Sequence, residues 1–230
     1  MSDENFLTRE ISLIGNENVE KLKKARVIVF GLGGVGGALA EALVRAGIGN
    51  LTIVDGDSIN VTNINRQAFA FNSTIGAPKT DAAEAKLLDI NKHVKITKIS
   101  EFYNEITAKS YNFANYDYIC DAIDSVNEKI LLIKNAVESG TPIISSMGTG
   151  NKLHPEMLEL SDISKTAYCP LAKAVRTGLR HVGINHLNVV YSKEPPIETG
   201  SRTPASISFV PPAAGMIMAG KVVRDIINKE

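Results

Sequence analysis

Asp55, Asn63, Arg66, Gln67, Lys79 and Asp124 are the side chains whose types and spacing invite a chemical reading. The run Asp55-Gly-Asp-Ser-Ile-Asn-Val-Thr-Asn-Ile-Asn-Arg-Gln67, followed by Gly76-Ala-Pro-Lys79, supplies amide donors, the fixed charges of Arg66 and Lys79, and the carboxylates of Asp55 and Asp57. Further on, Cys-Asp-Ala-Ile-Asp-Ser carries Asp121 and Asp124. A pyrophosphate held by backbone amides needs few such cations, whereas a triphosphate carries more charge to neutralise, so the set points to ATP. Magnesium on a nucleotide takes only one or two carboxylates and keeps its waters. Asp124 is the expected ligand and Asp121 a helper that acts through a water or supports the ligand from behind, although Asp121 could equally cap the helix that follows it.

Those side chains need a frame, and residues 27–37 announce one. The β-branched run Val27 to Phe30 feeds Gly31-Leu-Gly-Gly-Val-Gly36, and an alanine-rich helical pattern from Ala38 to Ala46 leaves it. This is the strand, turn and helix start of a nucleotide-binding βαβ unit. In it Gly31 allows the turn, Gly33 and Gly34 let backbone amides meet a phosphate, and Gly36 lets helix and strand pack closely. A second strand, Leu51 to Val54, ends at Asp55, about 20 residues on, where an acid commonly meets a ribose. The glycine pattern alone means a dinucleotide cofactor more often than ATP; the cationic segment behind it reverses that and favours ATP.

Helices are predicted over Lys79–Asn91, Ser125–Ser139 and 213–228, with strands at 94–99, Tyr116–Cys120 and Pro142–Ser146. A short helical pattern carries Phe6, Leu7, Ile11 and Ile14. Strands alternating with helices give an α/β fold with a doubly wound, mostly parallel Rossmann-like sheet. Residues 193–205, with three prolines and one glycine, read as a mobile loop. At 230 residues, one domain is expected, a core at about 5–150 and an extension at 151–230.

Composition narrows the partners. Lys+Arg and Asp+Glu number 25 each, so no bulk charge draws the chain to nucleic acid or membrane, and a polyanion must be met by a local patch. Cys120 and Cys169 form no Cys-x-x-Cys pair, which argues against a disulfide framework or a zinc knuckle. Cys120 reads as core and Cys169, before Pro170, as a packed side chain. No signal peptide or membrane span is visible, and a cytoplasmic location is expected.

Taken in order, the Gly31–Gly36 loop, Asp55-Gly-Asp57, Asn63–Gln67, Gly76–Lys79 and Asp121–Asp124 resemble the ubiquitin-activating-enzyme-like adenylation family, over about residues 5–150. The resemblance implies that Asp55 holds the ribose hydroxyls, that Asn63, Arg66, Gln67 and Lys79 bind the triphosphate, and that Asp124 binds Mg²⁺. It also implies that Arg9 reaches ATP, often from the other subunit of a homodimer. The activity it implies is adenylation of a carboxylate, with Arg66, Lys79, Asp124 and Arg9 as the catalytic set. Ser125 departs from the asparagine common in the family after the aspartate.

The second half resembles the tRNA threonylcarbamoyladenosine dehydratase branch, through Asp162-Ile-Ser-Lys-Thr166, the segment 164–184, Val189–Pro196 and Ser206-Ile-Ser-Phe-Val-Pro211. That branch implies a modified anticodon-loop adenosine of tRNA as substrate, and a sulfur-transfer protein is a further expected partner. If Pro170 begins a helix, Leu171, Val175, Leu179 and Val182 line one face. Lys173, Arg176 and Arg180 then form a basic stripe that Lys165 extends, suited to tRNA phosphates or to the solvated side of an amphipathic helix. The alternatives are an adenylyltransferase for a ubiquitin-like sulfur carrier, a non-catalytic nucleotide-fold module and a nicotinamide oxidoreductase. The missing Cys-x-x-Cys pairs count against the first, and the intact Asp55, Arg66, Lys79 and Asp124 set against the second.

Overall fold

The computed structural model describes residues 6–201 and 203–228; residue 5 of the expected core, Arg202 of the predicted loop and residues 229–230 of the expected extension lie outside the described residues. A seven-stranded sheet has the order β3-β2-β1-β4-β5-β7-β6. Its strands are β1 (Arg26–Phe30), β2 (Asn50–Val54), β3 (Lys95–Ile99), β4 (Tyr118–Asp121), β5 (Ile143–Ser146), β6 (Leu158–Asp162) and β7 (Asn188–Ser192). All pairings are parallel except β6 with β7. The helices are α1 (Thr8–Ile14), α2 (Asn16–Lys24), α3 (Gly34–Arg45), α4 (Lys79–Ile90), α5 (Val126–Glu138), α6 (Pro170–His181) and α7 (Val210–Ile227).

Two-residue periodicity explains why the central strands read as continuous apolar runs. In β1, Val27 and Val29 face one cluster, with Leu39 and Leu43 of α3 and Met218 and Val222 of α7. Ile28 and Phe30 face the other, with Leu132 and Ile133 of α5 and Val175 and Leu179 of α6. A parallel strand with helices on both sides has no polar face to show. This is the doubly wound α/β sheet expected from the sequence. Residues 151–230 supply β6, β7, α6 and α7, which extend and cover the same sheet rather than forming a separate layer.

The predicted helices and the first five strands lie within a few residues of their expected positions, whereas β6 and β7 were not anticipated. The strand β6 is short, antiparallel and polar, Leu-Glu-Leu-Ser-Asp, so it carries little apolar signal. The chain runs outward from β1 to β3 on one side, then crosses back to place β4 on the other. The crevice at the carboxyl ends of β1 and β4 is therefore the switch point of the sheet, where ligands bind in open α/β folds.

Candidate active site

A cleft of about 970 Å³ opens at that switch point. The glycine loop forms its floor. Gly31 has φ +87° and a side chain there would meet the Ala122 carbonyl at 2.7 Å, while one at Gly36 would sit 1.7 Å from the Gly31 carbonyl oxygen. Only glycine fits either position. A side chain at Gly33 would meet nothing within 4 Å, so that backbone faces open space. The first N–H groups of α3 have no side-chain cap, and they and the positive end of the helix dipole are available to an anion.

Asp55 ties the loop to the cationic segment. Its Oδ2 accepts from the Leu32 N–H at 2.6 Å and its Oδ1 from the Asp57 N–H at 2.8 Å. Lys79 donates to Asp57 at 2.7 Å and lies 3.5 Å from Asp55. Asp55 is nearly buried, with 7% of its side chain exposed, while Asp57 is 53% exposed and so the more open of the two to a ligand. A carboxylate has about four lone-pair sites, so Asp55 keeps capacity for a hydroxyl donor.

The segment 60–67 folds into a 3₁₀ turn closed by Asn60, whose side chain accepts from Thr62 N–H, while Asn63 Oδ1 accepts from the Asn60 N–H. Asn63 therefore turns its acceptor to the backbone and keeps its amide donor. The Arg66 guanidinium donates to the Thr62 carbonyl at 3.1 Å and to Asn65 Oδ1 at 2.9 Å, which aims its stem across Gly34. Gln67 also lines the cleft. Asp124 is exposed at the mouth, and among the described residues its carboxylate has neither hydrogen bond nor ion pair. The structure thus brings Gly31, Gly33, Gly34, Asp55, Asp57, Asn63, Arg66, Gln67, Lys79 and Asp124 to one cleft.

Asp121 is different. The strand β4 runs one residue further than expected, so Asp121 is its last residue and is completely buried. Its Oδ2 accepts from Lys129 Nζ at 2.7 Å and from the Ser145 hydroxyl, and its Oδ1 from the Ile123 N–H at 3.0 Å. Lys129 also reaches the Ser146 carbonyl at 3.0 Å. This carboxylate anchors β4, β5 and α5 beneath the cleft; it caps no helix, and its burial closes it to a water-mediated role.

The basic stripe also needs correction. Lys165, Lys173 and Arg180 are exposed, but Arg176 is half-buried and its Nη1 donates to the Thr166 carbonyl at 3.0 Å and to the Thr166 hydroxyl. It braces the turn before α6. The buried face of α6 is Ala172, Val175 and Leu179, while Val182 is 43% exposed just past the helix end. Arg9 sits on α1, next to Leu7, whose side chain packs at Gly47. That is the amino-terminal end of β2, a strand about 17 Å long, and the cleft lies at the other end.

Spacing gave no hint of several lining residues. Phe102 and Tyr103 follow β3, Met147 to Gly150 follow β5, and Thr203 to Ser206 arrive from the predicted loop. The described parts of that loop are pinned by Asn151, which donates its N–H to the Ala205 carbonyl and accepts from the Ala205 and Ile197 N–H groups. Lys152 and Glu194 stand behind it, both buried. Burial pushes the Glu194 carboxyl up, but hydrogen bonds from the Leu153 and His154 N–H groups more than offset this and hold it below its ordinary value. Burial pushes the Lys152 ammonium down.

Comparison with known proteins agrees with the cleft. A family model described as the ThiF family matches residues 7–230. The tRNA threonylcarbamoyladenosine dehydratase of Bacillus subtilis is 41% identical over 233 residues, covering 94% of this chain and 92% of that protein. The chain spans 63% of the length of the Haemophilus influenzae and Escherichia coli dehydratases it also matches. The E. coli molybdopterin-synthase adenylyltransferase is 33% identical over 149 residues, which cover 63% of this chain and 59% of that one. Among solved structures, the E. coli tRNA N6-threonylcarbamoyladenosine dehydratase in complex with ATP superposes with a TM-score of 0.89 at 28% identity, over 94% of this chain and 91% of that one. The chain belongs to the ThiF family.

Proposed function

We propose that this chain uses ATP to adenylate the carboxylate of a threonylcarbamoyl group on a tRNA adenosine, and then lets that group close on itself with net loss of water. The adenylating half rests on the cleft; the choice of carboxylate rests on similarity to the B. subtilis dehydratase along almost its whole length. The molybdopterin-synthase adenylyltransferase matches over a shorter stretch, and this chain has no pair of Cys-x-x-Cys motifs, so a ubiquitin-like sulfur carrier is the weaker substrate.

The chemistry follows from charge. The carboxylate oxygen attacks the α-phosphorus, the bond to the β-phosphate breaks and pyrophosphate leaves. Two anions must approach each other, so preorganised cations and N–H donors act most strongly as charge gathers in the transition state. Lys79, Arg66 and the first amides of α3 fill that role, and Asp55 receives the ribose. Lys79, itself nearly buried, must exchange part of its bond to Asp57 for the phosphates; Asp57 is half open to solvent, so its carboxylate can turn to water as the bond is traded. In the second step the carbamoyl oxygen attacks the activated carbonyl, a ring forms and AMP departs. An intramolecular nucleophile has a large proximity advantage, so no catalytic cysteine is needed.

Among the described residues no group of three or more His, Cys, Asp or Glu could hold a metal by itself. A free carboxylate beside a triphosphate fits magnesium, whose remaining ligands are phosphate oxygens and water. Asp124 would hold it, and the ion would neutralise phosphate charge. Arg9 of the same protomer stands at the wrong end of the sheet, so the homodimer we propose would bring the partner's Arg9 to the nucleotide. We take the chain as one domain whose residues 151–230 face tRNA through Lys165, Lys173 and Arg180, working in the cytoplasm; a sulfur-transfer partner remains part of the proposal. The test is AMP release from ATP: it should depend on tRNA carrying threonylcarbamoyladenosine, and release driven instead by a small carrier protein would overturn the assignment.

A further inference from the structure

Beside the cleft one aromatic side chain is held out into solvent by backbone that resists the conformation. Tyr168 has φ +59°, a region unfavourable for any residue with a bulky side chain. The Cys169 N–H donates to the Ala167 carbonyl at 2.7 Å, so residues 167–169 form a three-residue γ-turn of positive φ, a rare and strained type. Such strain persists only where the surroundings enforce it. Here they do. Thr166 is held by Arg176 and bonds its hydroxyl to the Ile163 carbonyl at 2.8 Å, and Cys169 is buried as the first capping residue of α6, its sulfur accepting from the Ala172 N–H.

The ring so displayed is 66% exposed, and among the described residues it has no aromatic neighbour and its hydroxyl has no hydrogen bond. Tyr168 does not line the cleft itself, but residues close to it in the chain reach that wall. The sulfur of Cys169, the next residue, lies 3.2 Å from where a side chain on Gly148 would begin, and Gly148 and Leu171 both line the cleft. Lys165 and Lys173, both exposed, flank it in sequence, the latter in the first turn of α6. A bare aromatic face with cations nearby in the chain is what an unstacked base of a single-stranded loop requires: the ring takes the base and the ammonium groups its phosphates.

We infer that Tyr168 is a stacking platform for a base of the tRNA loop adjoining the reactive adenosine, and so a substrate-positioning residue. The inference rests on the proposed tRNA substrate. The chain contains no tryptophan, so Tyr168→Trp introduces a single tryptophan at the platform, which can be excited apart from the tyrosines. Its emission should be quenched on addition of tRNA carrying threonylcarbamoyladenosine and not by ATP alone. Tyr168→Gly relieves the turn and removes the ring; it should leave thermal stability equal or higher and raise the KM for tRNA about 5- to 150-fold, the range for losing one stacked base. Tyr168→Phe should restore the KM. Unchanged emission at saturating tRNA, or a wild-type KM in Tyr168→Gly, would overturn the inference while leaving the proposed function intact. A wild-type protein that bound no such tRNA would overturn both.

Discussion

Two lysine–aspartate pairs stand within one molecule and do opposite work. Lys79 meets Asp57 on the cleft wall with half of the carboxylate in solvent; Lys129 meets Asp121 with neither side chain exposed at all. Both contacts are 2.7 Å long, so distance does not separate them. Surroundings do. The first pair can trade partners with an incoming phosphate, because water screens the exchange. The second is closed by Ser145, the Ser146 carbonyl and the Ile123 N–H, and either partner alone would be an uncompensated buried charge. A charged residue at a strand end is thus not enough to mark a ligand site; what decides is whether its hydrogen-bonding capacity is already spent.

The comparison breaks most visibly at Lys129. Lys129→Met should destabilise the protein by about 3–5 kcal/mol, since it leaves the buried Asp121 carboxyl without its ion-pair partner, and lower the midpoint of thermal unfolding by about 10 °C. Adding Asp121→Asn should recover much of that loss. A Lys129→Met protein as stable as wild type would put Asp121 back among the ligand candidates. On the cleft wall, Lys79→Ala or Arg66→Ala should reduce tRNA-dependent AMP release about 10²- to 10³-fold, with the unfolding midpoint lowered less than in Lys129→Met. Equal activity in both variants would remove these cations from the reaction.

Glu194 is the intermediate case, buried yet held mostly by backbone donors. Glu194→Gln should cost about 1–2 kcal/mol at neutral pH, as hydrogen bonds to a charged acceptor are weakened. Because its folded value lies below the ordinary 4.5, the stability it provides is present above that pH and is lost as pH falls through the folded value. Denaturant titrations should therefore show wild type and variant converging below about pH 4.5. The smallest effect is expected on α6: Lys173→Ala and Arg180→Ala should each make the salt dependence of tRNA binding shallower by about one unit of slope. Arg176→Ala should instead loosen the turn at 163–168 and disturb Tyr168.

Much of this site was legible before any coordinates, and the reason is local. The glycine loop, Asp55-Gly-Asp57 and Asn63–Gln67 each lie within one short segment that flanks a strand end, so spacing alone brings them to the rim. Asp121 was misread because an apolar strand gives no sign of where it stops, and one residue more carried the carboxylate inside. Arg176 was misread because helical periodicity says which face a residue occupies but not which carbonyls a neighbouring turn leaves open. Phe102, Gly148 and Thr203 come from three distant connections that only the strand order joins, and no period within the sequence encodes that order. The strained Tyr168 lacks the glycine that usually marks positive φ, so its turn was invisible until the backbone was seen.

The central claim is that a triphosphate clamped at the carboxyl rim activates a carboxylate on tRNA. Its most direct test is mass spectrometry of nucleosides from threonylcarbamoylated tRNA incubated with the protein, ATP and Mg²⁺. The modified nucleoside should lose one water, with one AMP and one pyrophosphate formed for each, and Lys79→Ala should slow the change by the same factor as AMP release. An intact nucleoside in the presence of ATP-bound, folded protein would contradict the account.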